Sequence, residues 1–157
     1  MITEVDKKHL QRCVELAERA LQAGDEPFGS LLVAADGRVL REAQNHAVTE
    51  DVTRHPEFEL AQWAARHLSA QERANASVYT SGEHCPMCSA AHGWAGLGRI
   101  VYASSSAQLG QWLSAWGVAP APITMYTIND VVPGLVVDGP VAELAERVRQ
   151  LHQRLHQ

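Results

Sequence analysis

The chain reads as an α/β protein, a single domain over residues 1–157 in which helices and strands alternate. Three observations predict this class. Apolar residues recur at helical spacing near both ends and in the middle of the chain. Short β-branched runs bounded by turn residues fall between the helical stretches. No repeat, low-complexity segment or linker divides the sequence. Strands that alternate with helices pack as layers around one core.

Taken in order, residues 4–23 form a helix with Leu10, Cys13, Val14, Ala17, Ala20 and Leu21 on one side, and Gly24 ends it. Ser30 to Ala34 and Arg38 to Ala43 are strands joined by Asp36-Gly37, a strong hairpin signal. A polar loop, residues 45–54, precedes a helix from Pro56 to about Leu68. Ala76 to Thr80 is a short buried strand that leads through Ser81-Gly82-Glu83-His84 into a helix from Pro86 to about Trp94. Arg99 to Ala103 is a fourth strand, and Ala107 to Trp116 is helical with Leu109, Trp112, Leu113 and Trp116 on one stripe. Residues 123–137 are ambiguous, with room for a fifth strand. Gly139-Pro140 opens a last helix whose apolar positions are Val141, Leu144, Ala145, Val148, Leu151 and Leu155.

Composition narrows the function. Hydrophobic residues make up 46% and charged residues 20% of the 157, as in ordinary globular proteins. The polar start, Met1 to Asp6, does not resemble a signal peptide, and no run approaches the roughly 20 apolar residues of a membrane span. A cytoplasmic location is the expectation. The net charge of −5 opposes a polyphosphate backbone. Arg147, Arg149 and Arg154 are interleaved with Glu143 and Glu146, which reads as a solvated helix face. The expected partner is therefore a small molecule rather than nucleic acid or membrane.

Chemistry concentrates at Cys85-Pro86-Met87-Cys88 and, upstream, His55-Pro56-Glu57. Three cysteines are too few and too odd in number for a disulfide scaffold, so the Cys-x-x-Cys is metal-binding or redox-active, while Cys13 falls on the apolar side of the first helix as core. At a helix start this spacing puts both sulfurs on one face, one turn apart. Pro86 and Pro56 suit the first helical position, leaving Cys85 and His55 as caps. Two helix N-termini would converge, and their partial positive charge favours thiolate and carboxylate. Glu57 shares a helical stripe with Leu60, Ala61, Ala64 and Leu68, where a carboxylate is costly unless it is used.

Three protein ligands would leave a tetrahedral zinc one position for solvent, with Glu57 alongside as general acid and base. Two competing readings remain open. A thioredoxin-like redox protein shares the layout of strand, Cys-Pro-x-Cys and helix but leaves His55 and Glu57 unexplained. A closed structural zinc site would need a fourth ligand, for which His84 and His92 are the candidates.

The pair Asp51-Val52-Thr53-Arg54-His55-Pro56-Glu57 and Thr80-Ser81-Gly82-Glu83-His84-Cys85-Pro86-Met87-Cys88 resembles the signature of the cytidine deaminase superfamily, His-x-Glu followed by Pro-Cys-x-x-Cys. Glu26-Pro27-Phe28-Gly29 resembles the branch acting on free bases, such as guanine and cytosine deaminases. The likeness spans roughly residues 5–130. His84 stands where the family has proline, and Pro56 where alanine is common. The resemblance implies a three-layer α-β-α sandwich with a five-stranded mixed sheet. It implies Zn2+ on His55, Cys85 and Cys88, with Glu57 as proton shuttle. It further implies that Asn45, Phe28 and Trp94 bind the substrate. By sequence alone Asn45 also reads as a turn residue, and Phe28 and Trp94 as core packing. The implied activity is hydrolytic deamination of a free nucleobase or base-like ring, a cytosine analogue or aminotriazine ahead of guanine. A homodimer is expected, with the apolar side of the last helix as its surface.

Overall fold

A computed structural model describes all of residues 1–157. Helix α1 (Glu4–Gln22) starts at Thr3, whose hydroxyl accepts from the Asp6 amide while the Asp6 carboxylate accepts from the Thr3 amide. The chain continues through β1 (Gly29–Val33), β2 (Val39–Gln44), α2 (Pro56–His67), α3 (Ala70–Asn75), β3 (Ser77–Gly82) and α4 (Pro86–Ala95). It then passes through β4 (Ile100–Ser104), α5 (Ser106–Ala115), α6 (Ile128–Val131), β5 (Val137–Asp138) and α7 (Ala142–His156).

The five strands form one mixed sheet in the order β2-β1-β3-β4-β5. β1 runs antiparallel to both β2 and β3, whereas β3, β4 and β5 are parallel. The expected sandwich is present. On one face, Leu10, Val14 and Ala17 of α1 share a buried cluster with Leu31, Val101, and Leu144 and Val148 of α7. On the other, Leu60, Ala61 and Ala64 of α2 pack with Leu32, Ala43 and Ile100, joined by Ile128 of α6. Alternation along β1 divides its side chains between the two cores. Cys13 is fully buried in the first cluster, as read from its helical phase. No helix is long and apolar enough to cross a membrane.

Several expectations need correction. The apolar side of the last helix is not free for a partner: Val141, Leu144, Ala145, Val148 and Leu151 are buried inside this chain's own core. That helix begins at Ala142, after a Gly139-Pro140 bond that is cis. The fifth strand is only Val137–Asp138, at the very end of the ambiguous stretch. Helices α3 and α6 were not anticipated. Each is short and held by a capping box, Ser69 with Glu72 and Thr127 with Asp130.

Candidate active site

His55 and Cys85 occupy the capping positions of α2 and α4, with extended backbone and proline at the first helical residue. The two helices pack together on one face of the sheet, so their N-termini meet at the C-terminal end of β3. His55 Nδ1 lies 3.5 Å from Cys85 Sγ and 3.6 Å from Cys88 Sγ. All three ligand atoms fall within 4.8 Å of one another.

This donor set fits zinc. Bonds of about 2.3 Å to sulfur and about 2.0–2.1 Å to nitrogen, meeting at a tetrahedral angle, put the nitrogen about 3.5–3.6 Å from each sulfur. The observed separations match. The two sulfurs and the imidazole act strongly on one another electrostatically. A hydrogen bond from the Cys88 thiol and one from His55 lower Cys85 to about 4, overriding the effect of burial. The Cys85 thiolate in turn lifts His55 to about 9. Cys85 is thus biased toward its thiolate form.

The candidates for a fourth protein ligand are occupied elsewhere or point away. His92 Nε2 lies 2.7 Å from the Gly98 carbonyl oxygen. His84 is fully buried against the edge of the His92 ring, with centroids 5.4 Å apart, and neither of its nitrogens joins the ligand cluster. Neither histidine adds a fourth ligand atom to the cluster.

Glu57 is 5% exposed. Its Oε1 accepts from the Thr80 hydroxyl at 2.7 Å and the Ser30 hydroxyl at 3.1 Å. Ser30 and Thr80 are directly paired across β1 and β3, so the sheet register places both hydroxyls under the carboxylate. Burial raises the Glu57 pKa, and the Thr80 hydrogen bond offsets part of that rise. Hydrogen bonding to the Cys85 thiolate, burial and the charge of the Glu57 carboxylate hold the Cys88 thiol well above its ordinary range. A buried carboxyl with a raised pKa therefore sits two residues from His55, at the start of the same helix.

The three substrate-binding expectations fare differently. Asn45 is 1% exposed, just past β2; its Oδ1 accepts from the Ala47 amide at 2.8 Å, and its Nδ2 has no partner. Strand alternation puts it on the same side of the sheet as Ala43 and Ser30, the side of Glu57. Phe28 lies over Gly82, 3.2 Å from where a side chain there would begin, with its ring edge toward His152 at 5.0 Å between centroids. Trp94 does not line the site within this chain. It is 92% exposed, because six residues of helix rotate it well away from the buried face of Cys88, Ser89 and His92.

Sequence reasoning missed Asp25. Its carboxylate is fully buried and accepts from the Val48 and Thr49 amides at 2.9 and 2.8 Å and from the Thr49 hydroxyl at 2.7 Å. It pins the loop that joins Asn45 to His55. An aspartate just before Glu-Pro-Phe-Gly carried no local signal of that role.

The family described as the cytidine and deoxycytidylate deaminase zinc-binding region matches residues 3–104. The chain belongs to this family. It is 30% identical over 108 residues to a probable cytosine deaminase of Schizosaccharomyces pombe, covering 69% of this chain and 65% of that protein. It is 38% identical over 97 residues to the guanine deaminase of Bacillus subtilis, covering 60% and 62%. The matches thus span a little under two thirds of these relatives' length. A tRNA-specific adenosine deaminase of Agrobacterium fabrum is 30% identical over 147 residues, covering 92% and 93%. In fold, the chain superposes on a guanine deaminase from Nitrosomonas europaea with a TM-score of 0.72 at 18% identity, covering 99% and 86%. Zinc is accordingly the metal of the His55, Cys85 and Cys88 site.

Proposed function

We propose that this protein is a hydrolytic deaminase that replaces the exocyclic amine of a free nucleobase or base-like ring with a carbonyl. The observation that carries the reading is the buried Glu57 carboxylate, held by Ser30 and Thr80 at the start of the helix that His55 caps. Zinc held by His55, Cys85 and Cys88 would acidify a solvent molecule toward a pKa of about 7. Glu57 accepts that solvent's proton and hands it to a ring nitrogen as oxygen adds to the amine-bearing carbon. The carboxylate, free again, then takes the remaining proton of the added hydroxyl and delivers it to the amine; the C–N bond breaks as the carbonyl forms, so one water is consumed and one ammonia leaves. The unpartnered Asn45 Nδ2 donates to an acceptor on the ring, and Phe28 flanks it.

The ring is of the cytosine or guanine type, the two classes among which the similar base deaminases divide. The acidic charge of −5 weighs against a tRNA substrate. The redox reading gives no role to His55, whose Nδ1 lies 3.5 Å from Cys85 Sγ, or to the buried Glu57.

The test is ammonia release from cytosine, guanine, adenine, their nucleosides, aminotriazines and transcribed tRNA. Release from at least one free ring, with about one zinc per chain, is expected. Silence on every ring together with reduction of insulin disulfides overturns the proposal. Glu57→Gln should retain zinc and lose about 10²–10⁴-fold in kcat. A near wild-type rate in that variant removes Glu57 as the shuttle. Cys88→Ala should lose its zinc by elemental analysis.

A further inference from the structure

We propose that Glu83 is a positioning residue of the substrate pocket: its carboxylate fastens the starts of α5 and α6 and, through α5, the aromatic wall behind Phe28. The pocket is the one read above as a base site, so the kinetic part of the inference rests on that reading. Glu83 stands in the turn between β3 and α4, two residues before Cys85. Its amide donates to the Ser104 carbonyl, at the end of β4, at 2.8 Å. Its side chain reaches further. Oε2 accepts from the Ser106 amide at 2.8 Å, and Oε1 from the Ile128 amide at 3.3 Å. Ser106 and Ile128 are the first residues of α5 and α6. A helix leaves its first amides without an internal acceptor, so each must find one outside. One carboxylate serves both, although the two donors are far apart in the chain.

The chain between these two tethers has little else to fix it. No residue from 105 to 127 is buried. None of them is Asp, Glu, Lys, Arg or His, so the stretch makes no ion pair. Helix α5 meets the first core cluster through Trp112, which is itself only partly buried. Helices in proteins owe most of their stability to a packed apolar face, and α5 has no fully buried side chain to supply one. A charged acceptor at its start therefore carries a large share of its placement. Hydrogen bonds to an ionised group are stronger than neutral ones, and the positive end of the helix dipole adds to the attraction.

From α5 the contacts run to the site. The Trp112 ring lies 6.5 Å from that of His152 on α7, and His152 meets the Phe28 ring at 5.0 Å between centroids. His152 is 3% exposed. A ring that closely packed has little room to give, so a displacement of Trp112 is felt at Phe28. Phe28 in turn lies over Gly82, the residue before Glu83. The same short turn thus supports Phe28 twice, directly at Gly82 and indirectly through α5, Trp112 and His152. Glu83 touches neither the ring nor the metal ligands in this scheme. It sets where the flanking side chain stands, which is a matter of binding the ring and not of moving its protons.

The test compares Glu83→Ala, Glu83→Gln, Trp112→Ala and the double variant Glu83→Ala/Trp112→Ala, with Gln111→Ala on the exposed side of α5 as control. Amide hydrogen exchange is measured on the zinc-loaded proteins, and steady-state kinetics on the free ring that the ammonia screen identifies. In Glu83→Ala the Ser106 and Ile128 amides should exchange about tenfold faster and KM should rise about tenfold, because both lose a charged acceptor. Zinc content and kcat should stay within about twofold, since the residue-83 amide keeps its bond to Ser104 and Glu57 is held by the sheet. Glu83→Gln retains one acceptor oxygen and should recover part of the loss. Trp112→Ala should also raise KM, and the double variant no further than the larger single effect, since both act through one wall. Gln111→Ala should match wild type. Unchanged exchange at Ser106 and Ile128 in Glu83→Ala overturns the proposal whatever ring is accepted. So does a loss of kcat with KM intact, or single effects on KM that multiply in the double variant. Silence on every ring together with accelerated exchange sinks the deaminase reading alone.

Discussion

Asp25 shows how one side chain can govern a site it does not touch. Its carboxylate has no solvent access, and burial alone would raise its pKa; the Thr49 and Val48 donors outweigh that and hold it below the usual carboxylate range. It stays ionised and anchors residues 48 and 49 to the turn between α1 and β1. Asn45 and His55 are the two ends of the loop so fixed. Asp25→Ala leaves two amides and a hydroxyl without their acceptor. Hydrogen bonds to a charged group contribute about 1.5–3 kcal/mol each. If even the lower figure is felt at Asn45, KM for the accepted ring rises by about tenfold. The kcat and zinc content should change much less, because Glu57 is held by the sheet and not by this loop. Steady-state kinetics with metal analysis checks this; an unchanged KM would show that the loop holds its shape unaided.

At the level of elements, the legible parts were those encoded by near neighbours. Proline one residue after His55 and Cys85 marked both helix starts, and Asp36-Gly37 marked the hairpin, because each is a local stereochemical requirement. The metal cluster followed, since two capped helix starts can bring their caps together only if the helices pack side by side. Helix α3 buries no residue, so it lacks the apolar period that reveals a helix; its only mark is the Ser69–Glu72 capping box. The exposure of Trp94 was not legible because a tryptophan in an apolar stretch reads the same whether its helix face meets a core or solvent. Close approach between elements was also invisible. A side chain beginning at Gly29 would stand 2.5 Å from the Cys13 carbonyl oxygen and 2.7 Å from the Ala17 amide of α1. Those are backbone atoms and cannot swing aside. Gly29→Ala should therefore push α1 off β1 and cost about 1–3 kcal/mol. Urea unfolding measures it, and an unchanged midpoint would mean that the helix rides out the methyl group by shifting.

The whole molecule is tied together at the opposite end of the sheet from the metal site, by a cluster around the buried Asp6 built from four separate parts of the chain. Asp6 of α1 accepts from the Tyr79 hydroxyl of β3 at 2.6 Å and from Arg99 at 3.0 Å, while Arg99 also donates to Asp138 of β5 at 2.9 Å. The Met1 ammonium lies 3.2 Å from Asp138. Burial works to raise the Asp6 pKa, but Arg99 and Tyr79 more than reverse this and hold the carboxyl far below its ordinary 3.8. A depressed folded-state pKa means that the stabilisation is complete above the unfolded value and drains away as pH falls below it. Removing the charge should therefore matter at neutral pH and progressively less in acid. A buried pair broken on one side costs about 3–5 kcal/mol. Arg99 keeps some solvent contact, at 26% side-chain exposure, so about 2 kcal/mol is the reasonable figure for Asp6→Asn at pH 7. For a chain of this length that lowers Tm by about 4–8 °C. Acid also protonates the metal-site thiolates, so the informative quantity is the difference between wild type and variant, in which that common loss cancels. The difference in Tm should be largest above pH 5 and shrink steadily below about 4. A difference that stays constant down to pH 2.5 would show that Asp6 acts through shape alone, and that the charge linking α1 to Tyr79 and Arg99 contributes nothing to holding the layers together.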